Sequence, residues 1–389
     1  MDDRIKNPVR LCLCLLLCLC LTAVGCGCWS SRELNDLAVV MAIGMDTADR
    51  PGEVRVTAQT AKAAAMGKDG GGEGPAYWNV SESGADTFSA LRGMADTAGR
   101  QLYLAHNQIL VFSREMAESG VQGQLDYFLR DRESRSTVYV AVSEGDAADL
   151  LDFTPQFEKL PAWQLSGQIK ASEETGQWPA VDLLEFSNQL MERSRAPLAP
   201  LISLTGEGEE KTSQIVGTAV FWEDRMVGVL DEAETRGMMW VLGRVESAAL
   251  EVPAAGSVAG IEVVSASAEM EPVFPADGGL SMQVRIRAEG RMSDQTGEEN
   301  LADPGVRLAL EQSMSGIIRD EVENAFARAK ELGADVYGFG NRIHEEHPDR
   351  WAGLEEDWQD TFRTAELELE IDARIRSTGR LVEPAYPGE

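Results

Sequence analysis

All six cysteines of this 389-residue chain (Cys12, Cys14, Cys18, Cys20, Cys26 and Cys28) lie within its first 28 positions. Whatever folds beyond residue 28 must do so without a disulfide framework, a cysteine zinc site, an iron–sulfur cluster or a cysteine nucleophile. Its core has to come from packing alone. A hydrophobic content of 43% over this length is enough to give each of roughly two or three domains a core. Charge then narrows the partners. With 65 acidic residues against 35 basic, the formal net charge is -30, a field that repels nucleic-acid backbones and anionic lipid headgroups alike.

The cysteine-rich segment reads as an address. Residues 1–10 carry Arg4, Lys6 and Arg10 against Asp2 and Asp3, and an uninterrupted apolar run from Leu11 to Ala23 follows. A short basic leader and an apolar run of secretory length predict export, since the run is too short for a spanning helix. The run ends in AVGCGC, and a cysteine behind small residues at this point has the form of a bacterial lipobox. There the thiol takes a diacylglyceryl group and cleavage leaves that cysteine first. Two registers fit. Ala23-Val24-Gly25 before Cys26 offers better cleavage subsites than Gly25-Cys26-Gly27 before Cys28, so subsite chemistry favours Cys26. Removing the weakly basic leader makes the remaining chain more acidic still, so acyl chains rather than a basic patch must hold it at a membrane.

Beyond the tether, Leu37 to Met45 is a continuous apolar run that predicts a strand covered on both faces, with Glu53 to Thr60 as its partner. Lys68 to Pro75 cannot pack and reads as a loop. Helical spacing follows over Asp86–Arg100, a strand over Leu102–Phe112, a helix over Arg114–Leu129 and a strand over Thr137–Val142. A helical stretch punctuated by Pro155, Pro161, Pro179, Pro197 and Pro200 suggests a domain junction. Gly217–Trp222 and Met226–Leu230 flank Glu223 and Asp224 like a hairpin, and Glu232–Leu242 reads as a short helix.

The last third is the most periodic. Leu280, Met282, Val284, Ile286 and Ala288 share one face of a strand, as do Leu367, Leu369, Ile371, Ala373 and Ile375. Both read as antiparallel, half-buried strands with a charged outer face. Between them stands a long helix with Asp303 as N-cap, Pro304 at N1 and Gly333 as C-cap. Its apolar stripe runs through Leu310, Met314, Ile317, Val322, Ala325, Ala329 and Leu332. The expected fold class is multidomain α+β, with mixed and antiparallel sheets each packed on helices and the C-terminal sheet covered by the long helix. The expected divisions are a signal peptide over 1–27, an N-terminal domain over 28–200, a hairpin–helix segment over 201–250 and a C-terminal domain over 251–389.

Catalytic constellations are not found. His344 and His347 would share a helical face beside Glu345 and Glu346, but no third ligand of matching character is near and Pro348 stops the helix. His106 reads as a structural or surface group. The sequence holds no G-x-S-x-G elbow, no phosphate-binding G-x-x-x-x-G-K-[ST] loop and no H-E-x-x-H. Gly338-Phe339-Gly340 reads as a tight turn with Phe339 packed inside. Trp222, Trp240, Trp351 and Trp358 sit in apolar periodic segments, where core packing is the default and a docking surface the alternative. No enzyme, metal or cofactor is expected.

Four segments, taken together, resemble the C-subunit lipoproteins of bacterial spore germinant receptors, the Ger(x)C family. They are CWSSRELNDLAVVMAIGMD from Cys28 to Asp46, LYLAHNQILVF with LDYFLRD and VYV between Arg100 and Tyr139, and GTAVFWEDRMVGVLDEAETRGMMWVLG from Gly217 to Gly243. The fourth, between Gly333 and Leu381, carries GADVYGFGNRIHEEHPDRW, WQDTF and IRSTGRL. In that family the lipidated cysteine stands directly before the tryptophan, which points to Cys28 where subsite chemistry points to Cys26. The anchor is one of these two. The resemblance implies a non-enzymatic, lipid-anchored subunit on the outer face of the spore inner membrane. It would assemble with a polytopic A subunit and a transporter-like B subunit in a complex that senses nutrients. The alternative is a solute-binding lipoprotein serving a transporter, which should have two α/β lobes joined by a hinge over a deep cleft.

Overall fold

The computed structural model describes residues 12, 13, 15, 16, 36–62, 65, 74–254, 256–276, 279–296 and 303–377. Cys26, Cys28 and most of the loop expected over Lys68–Pro75 lie outside the described residues. Strands β1 (Leu37–Thr47), β2 (Val54–Ala61), β3 (Tyr77–Gly84), β4 (Gln101–Tyr103), β5 (Ile109–Ser113), β6 (Tyr139–Ser143), β7 (Leu198–Thr205), β8 (Thr212–Trp222) and β9 (Arg225–Leu230) build one sheet. Its order is β3-β2-β1-β5-β6-β7-β8-β9, with β4 paired to the first residues of β1. The central strands β1, β5, β6 and β7 are parallel, and antiparallel pairs flank them on both sides.

The unbroken apolar run of β1 has the cause anticipated for it, because helices cover both faces of this sheet. On one face α1 (Thr87–Ala98), α2 (Arg114–Ser119) and α3 (Gln122–Arg130) enclose Ile43, Met45, Phe112 and Phe128. On the other, α4 (Ala147–Leu150) and α5 (Pro161–Thr175) enclose Ala42, Ile109, Leu165 and Ile169, and α6 (Leu183–Met191) returns to the first face with Phe186. Each such fully buried side chain contributes about 1.5–3 kcal/mol relative to exposure.

Helix α7 (Glu232–Val241) leaves β9 through a capping box formed by Asp231 and Glu234. Beyond it, β10 (Ala249–Ala254), β11 (Ser257–Val273), β12 (Ser281–Thr296) and β13 (Glu366–Ser377) form a second sheet in the order β10-β11-β12-β13. Helix α8 (Pro304–Leu332) covers its inner face, packing Leu310, Met314, Ile318 and Phe326 toward Met282, Val284 and Ile286. Its predicted punctuation is present. Asp303 accepts from the N–H groups of Gly305 and Val306, Pro304 opens the first turn, and Gly333 closes the helix in the left-handed conformation at φ 65°. The outer face carries exposed pairs such as Arg287–Glu269 at 3.1 Å and Arg291–Glu262 at 2.6 Å, which contribute little each. Helices α9 (Phe339–Glu346), α10 (Pro348–Trp351) and α11 (Trp358–Thr364) lead from α8 to β13.

Several expectations are corrected. The strand anticipated over Leu102–Phe112 is broken by a 3-10 turn at Leu104–His106, because both of its halves pair with β1 at different heights. The helix over Arg114–Leu129 is two helices, parted at Gly120, whose φ of 124° no helix accommodates. Pro200 lies inside β7, where pairing with β6 begins only at Leu201, so its missing N–H costs nothing there. Most consequential, β12 and β13 pair in parallel, not antiparallel, since α8 to α11 carry the chain back to the starting end of β12.

Helices α7 and α8 pack closely at Gly237. A Cβ added at Gly237 would sit 2.1 Å from the Glu321 carbonyl oxygen and 2.8 Å from Ala325 Cβ. Gly237→Ala is therefore expected to force the helices apart and destabilise the fold by about 3 kcal/mol, read as a lower urea midpoint at unchanged slope.

Candidate functional site

The two segments with the strongest local signatures, Gly44-x-Asp46 and the stretch from Gly333 to Gly340, each contain a buried carboxylate. Asp46, next to last in β1, is 2% exposed and accepts from the N–H groups of Ala147 at 2.7 Å and Ala148 at 3.1 Å, which open α4. Arg55 stands 3.5 Å away and is itself 3.0 Å from Asp146. Burial pushes the Asp46 carboxyl up, against the pull of these donors and of Arg55. The arrangement ties the end of β1 to the chain leaving β6.

Asp335 does the same for the second sheet. At 1% exposure it accepts from the N–H groups of Tyr337 at 3.1 Å, Gly338 at 3.0 Å and Gly340 at 2.8 Å, so the chain wraps around a single carboxylate. Gly338 takes φ 76° to permit the wrap. Gly340 is required by close approach: a Cβ there would meet the Ser194 carbonyl oxygen at 2.7 Å and Trp358 Cε2 at 2.9 Å. Phe339 is fully buried and stacks on Tyr337 at 4.8 Å, as the tight-turn reading expects. Burial pushes the Asp335 carboxyl up to about 6, opposed by the backbone N–H groups of Gly340, Phe339, Tyr337 and Gly338.

This loop faces the chain that enters β7, and the two sheets meet there. The Ala196 N–H donates to the Asp335 carbonyl at 2.8 Å, Asn341 Nδ2 donates to Glu192 at 2.8 Å, and Ser194 bonds the Asn341 side chain. Arg195 lies across Gly338, with Cδ at 3.4 Å from the position a Cβ would take, and its Nε is buried without a hydrogen-bond partner. Burial, reinforced by Arg244, lowers its pKa. Beside it runs a groove of about 580 Å³ whose lining includes Arg193, Arg195, Trp222, Glu355, Asp357 and Trp358.

A second tie across the junction lies between α7 and α8. Arg236 Nε reaches both carboxylate oxygens of Glu321 at 3.0 Å, Arg236 Nη2 bonds the same carboxylate, and Trp240 Nε1 donates to it at 2.9 Å. Glu321 is 7% exposed and Trp240 is fully buried. Chemically these arrangements position backbone and helices. None sets a nucleophile beside a base.

The histidines are placed as surface and packing groups. His106 ends the 3-10 turn, His344 stacks on Trp351 at 5.9 Å, and His347 meets Phe274 edge-on at 5.5 Å. Among the described residues no group of three His, Cys, Asp or Glu side chains is placed to hold a metal ion. Trp240, Trp351 and Trp358 are core residues, whereas Trp222 is half-buried at the groove. Among the described residues no helix is long and apolar enough to cross a membrane.

Comparison with known proteins matches this architecture. Residues 30–204 match the spore germination protein N-terminal domain, and residues 216–379 match the C-terminal domain described as spore germination B3/GerAC like. The chain is 25% identical to spore germination protein KC of Bacillus subtilis over 395 residues, covering 95% of this chain and 97% of that protein. It is 26% identical to the putative spore germination protein YfkR of the same organism, covering 91% and 93%. The crystal structure of the GerBC protein superimposes with a TM-score of 0.54 at 16% identity, covering 89% of this chain and all of that one. With both of its sheets spanned by these matches in order, the chain belongs to the Ger(x)C family of spore germination proteins.

Proposed function

We propose that this chain is the lipid-anchored, non-enzymatic C subunit of a nutrient germinant receptor. It would sit on the outer face of the spore inner membrane and act through assembly with membrane A and B subunits. The observation that carries the reading is the conjunction of a sequence with the form of a lipobox, at Cys26 or Cys28, with two germination-protein domains following in order over residues 30–204 and 216–379. The names of the relatives support the germination role. The rigid ties at the junction of the sheets suit a body that transmits or scaffolds rather than one that turns over substrate. A solute-binding lipoprotein would call for two α/β lobes facing across a hinge. Here β10, β11 and β12 are antiparallel, and α7 packs into both sheets.

The test is the double substitution Cys26→Ala and Cys28→Ala. It is expected to move the protein from the spore membrane fraction to the soluble fraction and to impair nutrient germination while chemical triggering persists. Full membrane retention of the double variant would sink the anchoring claim. Copurification of two polytopic subunits from detergent-solubilised spore membranes checks the assembly.

A further inference from the structure

Phe157 is 99% exposed, the extreme among the large apolar side chains of the described residues. It belongs to the segment between α4 and α5, and its place in the fold follows from hydrogen bonds. Asn79 Nδ2 donates to the Leu151 carbonyl at 2.8 Å and Tyr77 Oη to the Phe153 carbonyl at 3.1 Å, so the segment runs along β3 toward its first residue. Lys159 Nζ then reaches the Ala65 carbonyl at 3.3 Å, beyond the last residue of β2. Because β1 and β2 are antiparallel, that is the end at which β1 begins. Phe157 therefore marks the end of the sheet where the chain arrives from Cys26 or Cys28.

Other residues at this end share a chemistry. Trp78, the second residue of β3, is 42% exposed. Lys62 follows β2 directly, with Nζ 3.1 Å from the Pro75 carbonyl. Lys62 and Lys159 are two of the five lysines among the described residues; the turn between β1 and β2, at the other end of β1, carries the exposed Arg50. The exposed Glu158 stands between Phe157 and Lys159, but an apolar ring below the headgroups, an indole at the interface and ammoniums that reach the phosphates suit the boundary between headgroups and acyl chains. The tether also limits the geometry. Eight to ten residues separate Cys28 or Cys26 from Asp36, and at about 3.5 Å each they span at most about 35 Å.

We infer that this end of the first sheet is a membrane-facing surface, with Phe157 inserted at the lipid interface and Lys159 and Lys62 against the headgroups. The inference rests on the lipid-anchor reading above and adds an orientation to it. Acyl chains supply attachment, whereas Phe157 fixes which end of an otherwise strongly acidic body meets the bilayer.

The test uses the full lipidated chain with Phe157→benzoylphenylalanine, reconstituted into phosphatidylethanolamine–phosphatidylglycerol vesicles, with the same photoreactive residue replacing Arg50 as the control. Position 157 is fully exposed, so the substitution leaves the core untouched. Irradiation is expected to give lipid adducts at 157, detected by mass spectrometry of the peptide, and none at 50. A chain that floats with the vesicles yet gives no adduct at 157, or equal adducts at both positions, overturns this inference and leaves the anchor standing. A chain that fails to float removes the anchor reading and this inference with it.

Discussion

Replacing Asp335 with alanine is expected to destabilise the protein by about 3 kcal/mol at pH 7 and by about 6 kcal/mol at pH 4. The first cause is loss of the acceptor for three buried donors, the N–H groups of Tyr337, Gly338 and Gly340. At about 2 kcal/mol for each unmet donor, that loss is about 6 kcal/mol at any pH. The second is the charge. Burial raises the carboxyl from an ordinary 3.8 to about 6, so the folded protein binds this proton more tightly than the unfolded chain. Above both values the ionised group costs the native state about 3 kcal/mol, and below both the cost vanishes. Stability from this group therefore falls as pH rises from 4 to 6, and deleting the group relieves the cost only on the neutral side.

The measurement is the difference between wild type and Asp335→Ala in urea unfolding across that window. The other carboxylates titrate in both proteins and largely cancel in the difference. A difference that stays flat from pH 4 to 7 would show that the backbone donors outweigh burial and hold the carboxyl ionised throughout. Asp335→Asn keeps one oxygen for Tyr337 and Gly338 but offers an amine toward Gly340. At pH 4 it should lie between the two in stability, and its difference from the alanine variant should stay constant with pH.

The reach of the sequence can be judged on individual elements. The punctuation of α8 was legible because Asp303, Pro304 and Gly333 act on the backbone beside them and need no partner elsewhere in the fold. The hairpin of β8 and β9 was legible for the same reason, although its turn holds Glu223 at φ 52°, the sole non-glycine residue with positive φ among those described. Strand β11 was not. Its SASA stretch and alternating small residues carry little apolar contrast, and its length is set by pairing with β12 along fifteen positions. The parallel sense of β12 and β13 was hidden because it depends on the path of all the helices between them.

The junction was less legible still. Asp335 stood in a recognisable motif between glycines, but its role as an acceptor appears only once the chain wraps around it. Glu321 had no signal at all, being one acid among 65 acidic residues, with its partner Arg236 85 positions away. Sequence patterning reports what a segment does locally. Both ties between the sheets are contacts across large separations, and one sequence does not encode those as a pattern.

That second tie gives the other large effect. Glu321→Ala is expected to cost about 3 kcal/mol, because it leaves the Arg236 guanidinium between α7 and α8 with only the exposed Glu232 at 3.8 Å, and the Trp240 indole N–H without an acceptor in the core. Arg236 is 20% exposed on its side chain and cannot turn fully into water without unpacking the crossing. Arg236→Met with Glu321→Met removes both charges and fills the space with flexible apolar groups, so it should recover most of the loss except the orphaned indole N–H. A double-mutant cycle is expected to give a coupling of about 2 kcal/mol, and coupling near zero would mean that the pair is a bystander to the packing at Gly237. The consequence extends to the proposed role. Since α7 follows β9 of the first sheet and packs against α8 of the second, Glu321→Ala should uncouple the sheets before either unfolds. Hydrogen exchange should then show the amides of β12 and β13 opening earlier than those of β1 and β5, and spores carrying the variant should stay loaded with the protein yet respond poorly to nutrients. If exchange rises uniformly across both sheets, they unfold as one unit and the junction is no hinge for the signal.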